Sequence, residues 1–257
     1  MRDPKEIVDE IEWLMQEYKA NDFEFFDLTA IIKKSWILEF CNTIKSRGLN
    51  NITWQLPVGT RTETLDEEVL KAIYGTGCHF VCYAPESGSQ KSLDIIKKRV
   101  KIDRLIQSIR TSVKIGHKAK LNFIIGFPTE TWEEIRQTIN FAEEIKVDYA
   151  KIFIAIPLRN TEMYDLALNT NSLINDPLKS KTMWTVGGVI KSEHWSADDL
   201  TILRAYEWDR INFSDPKKLE RTAKRMDITI EELNSIRKRT LSNARKMVSS
   251  HKSSYPN

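Results

Sequence analysis

Residues 77–89 read GCHFVCYAPESGS, and this stretch decides the fold. From His79 to Ala84 the residues alternate and are rich in β-formers, which predicts a strand. The strand is expected to stop at Pro85, where Glu86-Ser87-Gly88-Ser89 turns toward a helix starting near Ser89. A polar Glu-Ser-Gly-Ser at the C-terminal end of a buried parallel strand lies where barrels and open α/β sheets place their ligands. The same four residues also make a good helix cap and turn, so the local pattern leaves both readings open.

Working outward, strands and amphipathic helices alternate on either side. Upstream, Asp3-Pro4-x-Glu6 predicts a helix start with a capping box, followed by a stripe of Ile7, Ile11, Leu14, Met15 and Tyr18. A short strand is expected at 23–27, and Ile37, Phe40, Cys41 and Ile44 stripe a helix that stops at Gly48. A second strand, 52–56, is ended by Pro57 and Gly59, and Thr64-x-x-Glu67 is expected to cap the next helix. Downstream, helical patterns run over 90–97 and 103–115, and residues 121–125 form a strand broken by Gly126-Phe127-Pro128. Thr131-x-x-Glu134 caps a helix, residues 149–156 are the fifth strand, and a short helix covers 162–168. Alternation of this kind implies a parallel sheet with right-handed crossovers. Periodicity does not say whether five strands curve into a partial barrel or lie open.

The domain division expected is a core over 1–168, a linker over 169–195 and a helical extension over 196–250 that opens with the box Ser196-x-x-Asp199. The extension's last helix is rich in Lys and Arg, which reads as a solvated face. A net charge of +3 is too small to argue for nucleic acid. No apolar run reaches membrane-spanning length, and the N-terminus lacks the apolar segment of a signal peptide. Three cysteines at irregular spacing suit a reducing compartment, so the expected location is cytoplasmic.

Cys78-x3-Cys82 does not read as a metal site. In a strand, residues four apart lie about 13 Å apart at ~3.3 Å per residue, too far for two sulfurs to share one cluster. Both read as core, as does Cys41 on its helix stripe, and no metal ligand is assigned. What does recur is polar or small residues just past strand ends: Asp27 and Thr29, Gln55 with Arg61, Glu86 and Ser87, Gly126 with Glu130, and Arg159 with Asn160. Five strands releasing such groups onto one edge describe a ligand site better than packing. The glycine at 126 would let backbone approach a flat ligand.

The segments FFDLTA, ITWQLPVGTR, LDEEVLKAIYGTGC, YAPESGSQ and NFIIGFPTETWEE, with Pro157-x-x-Asn160-Thr161-x-x-Tyr164, resemble the radical SAM enzymes. The resemblance points to the cobalamin-associated branch that includes anaerobic magnesium-protoporphyrin ester cyclases, and it covers residues 1–168. It implies strands two to six of a (β/α)6 partial TIM-type barrel with S-adenosylmethionine across the C-terminal strand ends. It places Asp27 and Thr29 near the methionine moiety, and Glu86 and Ser87 against ribose and carboxylate. Ile125 and Gly126 would contact adenine, with Pro157 at the sixth-strand edge; Gln55 and Arg61 join the same cofactor set. The family's CxxxCxxC loop for a 4Fe-4S cluster is absent, and Cys41, Cys78 and Cys82 cannot replace it.

The expectation is therefore a core fragment whose cluster comes from a missing N-terminal segment, partner fragment or upstream domain, the resemblance allowing for an upstream domain that binds cobalamin. With the cluster, S-adenosylmethionine would be cleaved to a 5′-deoxyadenosyl radical acting on an unknown small-molecule substrate, by methylation or ring formation. The alternative is a non-catalytic remnant or adaptor that keeps the half-barrel, so the sequence leaves open whether this chain is itself an enzyme. A phosphate-binding barrel enzyme is disfavoured by the lack of a Gly-rich phosphate loop. The sheet edge left by the missing strand is expected to lower stability.

Overall fold

The computed structural model describes residues 2–27, 31–60, 62–176 and 187–252. Ten helices and five strands are found among them. The order is α1 (Pro4–Tyr18), β1 (Asp22–Glu24), α2 (Lys34–Ser46), β2 (Thr53–Thr60), α3 (Glu67–Tyr74), β3 (Cys78–Glu86), α4 (Gln90–Ile95) and α5 (Ile102–Ile115). Then follow β4 (Lys118–Ile125), α6 (Trp132–Glu144), β5 (Tyr149–Ile154), α7 (Glu162–Asn169), α8 (Ala197–Phe213), α9 (Pro216–Arg225) and α10 (Ile230–Lys252). The strands form one open parallel α/β sheet in the order β1-β2-β3-β4-β5, as the alternation with helices requires. No helix among the described residues is long and apolar enough to cross a membrane.

The predicted elements are present, with boundaries that differ for physical reasons. β2 was expected to end at Pro57 and Gly59, yet it continues to Thr60, and its ladder with β3 shifts register between Leu56 and Thr60. Proline has no N–H to donate, so the ladder slips past it and resumes. Likewise, β3 runs through Pro85 to Glu86. Thr131 with Glu134 and Ser196 with Asp199 form the expected capping boxes. Two other caps differ. Asp3 accepts from Lys5 N, and α3 is capped by Asp66, which accepts from Val69 N, while Thr64 sits in a 3₁₀ turn. In both, an aspartate near the helix start is the charged acceptor closest to an orphan N–H.

The chain divides into two compact units, residues 1–85 with 100–121, and residues 86–99 with 122–257. In the first, Phe25, Phe40 and Trp54 pack edge to face, with ring centroids 5.3–5.6 Å apart. Trp54 Nε1 donates to the Thr76 carbonyl at 2.9 Å, so the buried indole keeps its partner. The predicted stripe Ile37, Phe40, Cys41 and Ile44 is buried, whereas α1 buries Val8 and Ile11 and leaves Tyr18 exposed.

In the second unit α8 packs along β5. Asn212 of α8 accepts from Ala150 N at 2.9 Å and donates to Ala150 O at 2.7 Å. One side chain thus pairs with the backbone edge of β5 as a further strand would. The helices after residue 196 bury Leu200, Ala205, Trp208 and Phe213.

Candidate functional site

Two turns in the second unit concentrate buried polar groups. The first follows β3. Glu86 has φ +66°, in the left-handed region. A non-glycine residue there costs on the order of 1–2 kcal/mol, and such strain clusters at functional sites. Its carboxylate pairs with Lys98 Nζ at 2.9 Å, both side chains being part-buried. The residues on either side of Lys98, Lys97 (φ +57°) and Arg99 (φ +52°), are left-handed as well.

Next in the turn, Ser87 is fully buried. Its hydroxyl lies 3.0 Å from Thr138 Oγ1 and accepts from Ser89 N at 3.0 Å. Gly88 N donates to the same threonine oxygen at 3.0 Å. A Cβ on Gly88 would meet Gln137 O at 2.5 Å and Thr138 Cα at 2.8 Å, so only glycine lets this turn lie on the α6 backbone. Ser89 then caps α4 through Ser92 N.

The second turn follows β4. Glu130, 1% exposed, reaches back with Oε2 to accept from Gly126 N at 2.6 Å and Phe127 N at 3.3 Å. Its Oε1 accepts from Ser92 Oγ at 3.1 Å, which ties this turn to α4. Burial pushes the Glu130 carboxyl up to about 7, and the nearby Glu134 charge adds to the rise, against the three donors. Trp195 Nε1 donates to the Glu130 carbonyl at 2.7 Å. Gly126 has φ +82°, and a Cβ there would lie 2.2 Å from Leu200 Cδ1. The glycine expected to clear space for a flat ligand therefore also makes room for a leucine of α8.

The remaining predicted residues separate. Ile125 and Pro157 are buried in the second unit. In the first unit, Asp27 is exposed and lines a cavity of about 470 Å³ with Phe25, Phe26, Ile32 and Trp36. Gln55 is half-buried and donates to Glu24 through Nε2. Thr29 and Arg61 lie outside the described residues. Three residues of the two turns carry no signal in the strand-end pattern: Lys98, Thr138 and Trp195. Thr138 stands one helical turn from the Glu134 of the capping box, which is the one hint that it faces inward. A cavity of about 560 Å³ lies beside the second turn, lined by Phe127, Pro128, Ile95, Met163 and Leu166. The Lys97–Glu162 ion pair (2.5 Å) also borders it.

The three cysteines are free and buried. Burial pushes the Cys41 thiol up to about 11 and raises Cys78 as well. Among the described residues no group of three or more His, Cys, Asp or Glu side chains comes together as ligands for a metal ion. An iron–sulfur cluster needs converging thiolates, and these residues do not fit one.

Residues 1–142 match the family described as the radical SAM superfamily. An uncharacterized methyltransferase of Pyrococcus horikoshii is 34% identical over 197 residues, 77% of this chain and 42% of the relative. The anaerobic magnesium-protoporphyrin IX monomethyl ester cyclase of Cereibacter sphaeroides is 27% identical over 165 residues, 64% of this chain and 27% of the relative. This chain thus spans less than half the length of these relatives. Among solved structures, the radical S-adenosylmethionine methyltransferase TsrM of Kitasatospora setae, with cobalamin and a 4Fe-4S cluster bound, superposes with a TM-score of 0.62 at 15% identity. The superposition covers 96% of this chain and 56% of that one, and at that identity the likeness is one of fold.

Proposed function

The chain belongs to the radical SAM superfamily, and we propose that its second unit supplies turns that hold S-adenosylmethionine in a cobalamin-associated enzyme of that superfamily. One observation carries the reading: Glu86 is held in a strained backbone conformation at the C-terminal end of β3, its carboxylate fixed by Lys98. A pinned carboxylate can accept from ribose hydroxyls or face an ammonium group. Ser87 has its hydroxyl engaged with Thr138 and Ser89, so its part is to shape the turn that presents Glu86. Ile125, Gly126 and Pro157 are buried in the same unit, so in this reading they back the adenine side of the site.

S-adenosylmethionine, when bound, is the source of the adenosyl group for the family's radical chemistry. The described residues do not form the site of the 4Fe-4S cluster, and in this proposal its ligands lie in another segment or fragment, a partner of this chain. The names of these relatives favour methyl transfer or ring formation; that cobalamin, which is bound in the TsrM structure, is held in a further domain is part of the proposal.

Calorimetric titration of the chain with S-adenosylmethionine and S-adenosylhomocysteine tests the reading. Saturable binding that weakens about tenfold or more in Glu86→Gln is expected. Absence of binding, or binding indifferent to that substitution, would overturn it and favour the adaptor.

A further inference from the structure

The buried face of α8 carries a charge that the protein leaves unanswered. Arg204 is 8% exposed, and its Nε and Nη2 are sealed from solvent without a hydrogen-bond partner. Burial pushes its guanidinium below the ordinary range, and the group that acts on its charge is the phenol of Tyr149. That phenol already accepts from Trp208 Nε1 at 2.9 Å. Buried charges in proteins are normally paired, because an unpaired one costs several kcal/mol.

The unpartnered atoms are chemically specific. Nε and Nη2 form one edge of the planar guanidinium, the edge that takes two oxygens of an oxyanion side by side. A second guanidinium flanks the same tyrosine. The Arg225 guanidinium lies 5.3 Å from the centroid of the Tyr149 ring. Two guanidiniums, those of Arg204 and Arg225, thus gather at Tyr149. Two guanidiniums match a phosphoryl dianion better than a monoanionic carboxylate. Tyr149 is the first residue of β5, so this cluster lies at the opposite end of that strand from Pro157.

We propose that Arg204 anchors a phosphate-binding site, framed by Tyr149 and Arg225, that takes a phosphoryl group, free or on a small metabolite. Because both atoms are sealed from solvent, side chains over the guanidinium edge must move for the anion to enter. This site is separate from the two turns and does not depend on S-adenosylmethionine.

The test is thermal unfolding of the full chain in inorganic phosphate, in ribose 5-phosphate and in chloride of equal ionic strength, with Arg204→Met and Arg204→Lys alongside. Phosphate or the ester at ten times its dissociation constant is expected to raise the wild-type midpoint by about 3–6 °C. Arg204→Met should abolish the shift and melt no lower than wild type in chloride, because it removes an unpaired buried charge; Arg204→Lys should keep part of it. A stronger effect of the ester would assign the site to a phosphorylated metabolite, and an equal one to free phosphate. Should Arg204→Met fail to fold, phosphorus NMR line broadening by the wild-type chain decides the matter. Equal melting of wild type in all three salts, no broadening, or a shift that survives in Arg204→Met would overturn the proposal.

Discussion

Replacing Glu130 by glutamine should change how stability depends on pH, in a direction the structure fixes. The carboxyl is sealed behind the β4 turn, and burial lifts its pKa from the ordinary 4.5 to about 7. An acid whose folded pKa exceeds its unfolded one binds its proton more tightly when folded. Its contribution to stability is therefore complete below about pH 4.5 and is lost as pH rises through 7. At about 1.4 kcal/mol per pH unit, the loss amounts to about 3 kcal/mol. Glutamine has nearly the same shape. Its amide oxygen can accept from Gly126 N and Phe127 N, and its nitrogen can donate to Ser92 Oγ, so the three contacts persist without the buried charge. Urea unfolding of wild type and Glu130→Gln between pH 4.5 and 8 should show the variant gaining on wild type by about 3 kcal/mol toward the alkaline end. Because other carboxylates titrate equally in both proteins, the difference isolates Glu130. Parallel pH profiles for the two would refute the reasoning.

Asn212→Leu strands Ala150 N and O and opens the edge of β5, so urea melts should show a loss of about 2–5 kcal/mol and size-exclusion chromatography should show association. Gly88→Ala should cost about 2–3 kcal/mol, because its Cβ meets backbone of α6. Gly48→Ala, with open space but φ +70°, should cost about 1 kcal/mol, and comparison of the two melts separates overpacking from strain. Lys98→Met breaks a part-exposed ion pair and should cost no more than about 1 kcal/mol in the same assay.

These predictions lean on contacts of very different visibility in the sequence. The alternation of strands and helices, the capping boxes at Thr131 and Ser196, and the stripe of α2 are local, so the sequence shows them. Strand-end polarity also located the two turns. It did not show which way the side chains face: Ser87 and Glu130 were expected at a ligand edge, and both spend their oxygens inside the protein. Facing is decided by partners far along the chain, Thr138 for Ser87 and Ser92 for Glu130. No periodicity links residues 51 or 38 apart.

The helices after residue 196 show why an element can look peripheral and be integral. Along α8 the buried face mixes Leu200, Trp208 and Ile211 with Thr201, Arg204 and Asn212, so the apolar stripe that marks a packed helix is broken. Each interruption serves a separate end. Thr201 bonds back to Ala197 O, Asn212 closes the β5 edge, and Arg204 supplies the anion-seeking edge. A sheet exposes backbone at both margins, and this one treats them differently. β5 is covered by a side-chain amide, while β1 is only three residues long, and a very short edge strand offers little template for unwanted pairing. Asn212, a polar residue on the buried face of α8, thus ties the helix to the sheet, and the polarity of that face hid the packing from a reading of hydrophobic pattern.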